Sequence, residues 1–181
     1  MAGEYSNLDV HVGAFAAPGA YTVTVTGGDG VRTHTATTVL NVQPTPVSTF
    51  AATPNAGSGS SQTFTFVAFG QGGRSNPESL NILFNSSVDG RHACWIYADA
   101  SFVTLASDDG TIWTPVAWGT YGNSQCTISG TTVTYIGDRL IVATQITFSD
   151  SLRGTKSIYL RTTNNYGSDT GYQPEGTWII P

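Results

Sequence analysis

Chemistry in this chain has few places to start. Its histidines are His11, His34 and His92, its glutamates Glu4, Glu78 and Glu175, and its cysteines Cys94 and Cys126, all set in a background of Ser, Thr, Asn and Gly. A serine or cysteine nucleophile needs a histidine base that a third group orients. Each histidine here sits in a polar strand or turn context without a recognisable partner. The GxSxG elbow is absent, and no glycine-rich loop joins a strand to a helix, which excludes nucleophile-elbow hydrolysis and phosphate cradling. Glycoside hydrolysis asks for less: two carboxylates about 5 to 10 Å apart beside an aromatic sugar platform. Glu78 and Glu175 are the weak candidates for such a pair. Asp108, Asp109, Asp138 and Asp150 lie beside Gly or Ser and read as turn residues bonded to their own backbone.

Metal and redox chemistry find equally little. The cysteine spacing fits neither a CxxC redox motif nor a zinc cluster. One disulfide is the favoured reading; in an oxidising compartment it would stabilise the fold by roughly 3 to 4 kcal/mol. The alternative is two reduced thiols in the core. His11 and His34 read as surface strand residues rather than ligands, the "SDDG" run lacks the DxDxDG spacing of a calcium loop, and no motif calls for a cofactor. Lys156 with Asn164 or Asn165 suggests an isopeptide cross-link, but that chemistry needs a buried acid and none is evident.

Aromatic residues carry more information. In "ACWIYA", Cys94, Ile96 and Ala98 share one strand face, which turns Trp95 and Tyr97 to the other. Large rings facing outward are costly unless covered or used. Together with Trp113, Trp118 and Tyr121 they make a candidate platform for stacking on sugar rings or on a protein partner. With the opposite parity, Trp95 would be the core tryptophan of a sandwich packed against its disulfide.

The elements that must position these residues are strands. Helical periodicity is absent, while period-2 runs bounded by Gly, Asn, Asp and Pro recur about every ten residues. "LDVHV" reads as a short strand. "GAYTVTVTGGDGVRTHTATTVLNV" reads as a hairpin turning at "GGDG". "QPTPVSTFAATPNAGSGSSQ" breaks the pattern with prolines and a Gly/Ser run, as a linker does. The expected organisation is therefore a partial domain over 1–44, a linker over 45–60 and a β-sandwich over 61–181. In that sandwich Phe64, Phe66, Ala68, Leu80, Ile82, Phe84 and the even positions Leu140 to Phe148 build the core. Residues 1–44 make an incomplete sheet whose open edge offers a route to self-association.

Composition narrows the partners. Of 181 residues only 10% are charged, and the net charge is -5 with seven Lys plus Arg. That leaves no basic footprint for nucleic acid. No run approaches the roughly eighteen apolar residues of a membrane span. The N-terminus shows no export signal, yet the composition is that of an extracellular or cell-surface β-protein.

Two parts of the chain resemble known material. "APGAYTVTVTGGDGVRTHTATTVLNVQ" is similar to the closing strands of bacterial immunoglobulin-like repeats. Residues 58–181, with "ACWIY", "DDGTIW", "NSQCTI", "GTKSIYL", "NNYGSDTGY" and "GTW" in order, resemble a module of large exported proteins of acidobacteria and related soil bacteria. The resemblance implies an immunoglobulin-like sandwich with a Cys94–Cys126 bridge and transfers no catalytic residue. The expectation is thus a non-enzymatic spacer, adhesion or carbohydrate-binding module whose partner is a glycan or a surface protein. A small secreted glycan hydrolase and a strand-donating subunit are the alternatives.

Overall fold

A computed structural model describes residues 7–13, 16–43, 46–70, 77–116 and 120–181. The chain divides into two compact units, 1–44 and 45–181. Among the described residues there is no α-helix, only a 3-10 turn at Asp150–Leu152.

Among its described residues the first unit forms one hairpin. β1 (Gly19–Gly28) pairs antiparallel with β2 (Thr33–Val42), Tyr21 facing Leu40 and Val25 facing Ala36. The turn is held by Asp29, whose carboxylate accepts the N–H groups of Val31 and Arg32 at 2.9 and 2.6 Å. Alternating β-branched residues favour these strands, but almost every position of both is exposed. Residues 8–12, expected as a strand, form none. An extended segment becomes a strand only where a partner completes its ladder.

The second unit is a two-layer β-sandwich, as the periodicity predicts. Its strands are β3 (Val47–Thr53), β4 (Ala56–Ser58), β5 (Ser61–Gly70), β6 (Ser79–Asn85), β7 (Cys94–Asp99), β8 (Val103–Ala106) and β9 (Trp113–Pro115). They are followed by β10 (Tyr121–Gly122), β11 (Cys126–Ile136), β12 (Arg139–Phe148), β13 (Gly154–Thr163) and β14 (Gln173–Ile180). One sheet runs β10-β11-β12-β5-β3 and the other β4-β14-β13-β6-β7-β8-β9. All pairings are antiparallel except β14 with β4.

Residues 45–60 behave differently from the linker expected of them. β3 hydrogen-bonds along β5, with Ala52 opposite Phe66, and β4 lies parallel to β14. Prolines and glycines mark this stretch because it runs from one sheet to the other, not because it is unstructured. Gly57 is required by close approach: a Cβ there would lie 2.5 Å from Cζ3 of Trp178.

The core lies between the sheets. Phe64, Phe66 and Ala68 of β5 and Leu140, Val142, Ile146 and Phe148 of β12 meet Leu80, Ile82 and Phe84 of β6, Ile96 of β7 and Ile158 and Leu160 of β13. Thr144 also points inward, and its hydroxyl lies 2.6 Å from that of Thr131. Phe64 is the hub, with edge-on contacts to Phe84 and Trp178 at 5.1 Å each. Cys94 of β7 and Cys126 of β11 form a disulfide that ties one sheet to the other. Beside it, Asn123 donates to the carbonyls of Ala93 and Ala106 and accepts from the N–H groups of Gln125 and Cys126.

Candidate functional site

Period-2 alternation makes β7 two-faced. Cys94, Ile96 and Ala98 are buried in the core, so Trp95, Tyr97 and Asp99 stand on the outer side of the seven-stranded sheet. Trp95 is therefore not the core tryptophan; that place belongs to Trp178, whose indole N–H donates to the Gly59 carbonyl at 2.8 Å. Sequence left both orientations of Trp95 open; the burial of Cys94, Ile96 and Ala98 decides it, and the identity of the inner tryptophan depends on how β14 is added to the sheet.

Cross-strand pairing gathers the outer aromatics. Trp95 faces Leu83 on β6, Tyr97 faces Asn81 on β6 and Thr104 on β8, and Trp113 follows from β9 opposite Ala106. The Trp95 and Trp113 rings meet at 4.6 Å and 67°, and Tyr97 meets Trp113 at 6.2 Å and 69°. Phe102, just ahead of β8, lies 6.1 Å from Tyr97 with the rings tilted by 31°, while Trp113 stands edge-on to Tyr97. Tyr97, Phe102, Thr104 and Trp113 line a groove of about 270 Å³. It is slightly smaller than a typical drug-sized pocket, which starts near 300 Å³.

Trp95 is a support rather than a wall of this groove. A Cβ on Gly90 would lie 2.1 Å from Cε3 of Trp95, so the turn between β6 and β7 rests directly on the indole. Tyr172 closes in at 6.4 Å. The Trp95 indole N–H and the Tyr172 hydroxyl are both enclosed; they act on each other, but neither makes a hydrogen bond of normal geometry among the described residues. Burial pushes the Tyr172 phenol pKa up. The Arg161 guanidinium lies 5.9 Å above its ring and is held by Asp169 through two bonds of 2.9 and 2.6 Å.

Asp99 is outside the lining but bonds to two of the residues that form it. One carboxylate oxygen, Oδ1, accepts the backbone N–H groups of Ser101 and Phe102 at 2.7 and 2.9 Å, which fixes the turn that carries Phe102. The other, Oδ2, accepts the Tyr97 hydroxyl at 3.1 Å. The Tyr97 phenol is pushed up to about 12, first by burial and then by the negative charges of Asp99 and Glu78. Tyr135 rises for the same reasons, burial first.

The two candidate carboxylates do not converge. Glu78 precedes β6; its N–H donates to Thr163 O at 2.9 Å, its carbonyl accepts the Tyr135 hydroxyl, and its carboxylate receives the Asn165 amide at 2.6 and 2.8 Å. Glu175 sits on β14 opposite the Ile158–Tyr159 bulge and accepts the Thr49 hydroxyl at 2.5 Å. Four residues of β13 separate the two backbone positions, about 13 Å at the strand rise, and the carboxylates are held by different partners, Asn165 and Thr49.

Among the other platform candidates, Tyr121 lies on β10 of the five-stranded sheet and packs against the core, lining a separate hollow of about 240 Å³ with Leu105, Asp108 and Asn123. Trp118 lies outside the described residues. The "SDDG" run is a turn: Ser107 and Thr111 donate to Asp109 and pull its carboxyl down to about 2. Lys156 donates to the Ser86 hydroxyl at 3.2 Å, and Asn164 accepts the N–H groups of Tyr166 and Ser168 in a turn of its own. Phe102 and Tyr172 are additions to the platform that sequence reading missed. For Phe102 a signal existed, since an aspartate at the end of a strand commonly caps the turn that follows it. For Tyr172 there was none.

Among the described residues no group of three or more His, Cys, Asp or Glu side chains is placed to hold a metal ion. No helix among them is long and apolar enough to cross a membrane. No protein-family model matches the chain, and no curated protein matches it.

Proposed function

We propose that residues 45–181 form an immunoglobulin-like, non-enzymatic module of an extracellular or cell-surface protein that binds a glycan on the outer face of its larger sheet. The observation that carries this reading is the groove walled by Tyr97, Phe102 and Trp113. A sugar presents C–H faces that stack on aromatic rings and hydroxyls that need polar partners, and Thr104 in the lining and the Tyr97 hydroxyl, which donates to the neighbouring Asp99, provide them. Phe102 is 52% exposed, a cost that ligand contact would offset. The disulfide between the sheets fits an oxidising compartment.

The test is a glycan and polysaccharide binding screen on the oxidised protein, read by tryptophan fluorescence, with product release assayed in the same wells. Binding without turnover, abolished in Trp113→Ala and Phe102→Ala, is expected. Turnover lost in Glu78→Gln would overturn the non-enzymatic reading in favour of a hydrolase. A mass that rises with protein concentration, lost on deleting residues 1–44, would point instead to a strand-donating subunit.

A further inference from the structure

We infer that the groove selects a glycan whose sugar carries a protonated amine, the ammonium docking on Asp99 while the ring face lies against Phe102 and Tyr97. The inference rests on the glycan-binding reading above and names the ligand class for that same site.

Three observations converge on Asp99. A carboxylate offers about four lone-pair positions. Three are used here, two on Oδ1 by Ser101 and Phe102 and one on Oδ2 by Tyr97, which leaves an acceptor position on the oxygen bonded to the groove's own tyrosine. The half-buried carboxylate is pre-set by those bonds and needs no rearrangement to receive a donor.

Charge points the same way. Asp99 lies opposite Ser79, next to Glu78, and both carboxylates act on the Tyr97 hydroxyl while no cation among the described residues offsets them there. Arg161, on the same cross-strand row beyond Asn81, is engaged by Asp169. The chain as a whole carries a net charge of -5. A uronic acid would bring like charge to these carboxylates, and an N-acetylated sugar would bring no charge at all. An ammonium gains a charge-assisted hydrogen bond to Asp99 and a favourable field from the aromatic faces.

The experiment titrates the full oxidised chain with three oligosaccharides of equal length and linkage: β-1,4-linked glucosamine, its N-acetylated form and the glucose oligomer. The glucosamine oligomer is expected to bind about tenfold more tightly than the glucose oligomer, the worth of one hydrogen bond between charged groups. In Asp99→Asn, which keeps an oxygen to accept from Ser101 and Phe102, that ratio should fall to about one. Glu78→Gln should lower it by a smaller factor, and raising the salt concentration should lower it in the wild type and in Glu78→Gln but not in Asp99→Asn. A thermal melt of each variant guards against misfolding. Equal binding of all three oligomers, or an unchanged ratio in Asp99→Asn, would overturn the amine selectivity while leaving glycan binding intact. Binding to none of a broad glycan panel would remove the glycan reading, and the selectivity with it.

Discussion

The seven-stranded sheet carries tryptophans on both sides, and Trp178 inside is treated differently from Trp95 outside. Trp178, inside, rests on Gly57, meets Phe64 edge-on and donates its indole N–H to Gly59. Trp95, outside, rests on Gly90 and meets Trp113 edge-on, but its indole N–H makes no hydrogen bond of normal geometry among the described residues. Burying a large ring and satisfying its polar atom is what a core does. Enclosing a ring while leaving its polar atom unpaired costs stability, and on the outer face the return is position: Trp95 braces Trp113 at the groove wall. The inner face therefore fixes the fold and the outer face shapes a surface.

That contrast can be broken first from the inside. Phe64→Ala removes the ring shared by Phe66, Phe84, Phe148 and Trp178 and should cost about 3 to 5 kcal/mol in denaturant unfolding. A much smaller loss would mean that the inner face is not the stabilising one. Replacing both Cys94 and Cys126 by Ser should cost roughly 3 to 4 kcal/mol, the chain-entropy value for such a loop, with the groove's ligand still bound by the fraction that remains folded. On the outer face, Gly90→Ala forces the Trp95 ring to move; a loss of about 1 to 3 kcal/mol is expected, together with weakened ligand binding, since Trp113 leans on that ring. Unaltered binding would show that Trp95 does not brace the groove.

Two smaller effects sharpen the comparison. Tyr97 titrates near 12 in the folded protein and near 10 when unfolded, so the unfolded chain loses this proton first as pH rises. The Tyr97 contribution is complete below pH 10 and is lost between about 10 and 12. Tyrosinate absorbance of wild type against Tyr97→Phe should isolate that late titration. Tyr172→Phe removes an enclosed hydroxyl that makes no normal hydrogen bond among the described residues, so stability should not fall and should rise by about 1 kcal/mol. Tyr135→Phe loses a bond to the Glu78 carbonyl and should cost about 1 kcal/mol. Equal losses in the two would show that the Tyr172 hydroxyl is satisfied in solution.

Alternating polarity is legible in the amino-acid sequence alone. The parity of "CWIYAD" is enough to turn Trp95 and Tyr97 away from Cys94 and Ile96, and the even positions Leu140 to Phe148 are buried as their spacing requires. Both readings depend only on the two-residue repeat of an extended chain. Residues 47–58 defeat the same logic. Their prolines and glycines look alike whether they serve a linker or the entry to two sheets, and only the partners β5 and β14, supplied from elsewhere in the chain, distinguish the cases.

Glu175 and Tyr121 are separated from the proposed site for a related reason: proximity across a sandwich is set by strand order, and local sequence does not encode strand order. Sequence by itself determined the all-β class, the hairpin turn at Asp29, the two faces of β7 and a pair of cysteines able to join. Tertiary structure alone decided that Trp178 fills the core, that Phe102, Thr104 and Trp113 line one groove with Tyr97, and that Tyr97 donates to Asp99. Alternation is a property of neighbours in the chain, whereas a groove is made by residues that meet only after the sheets are assembled.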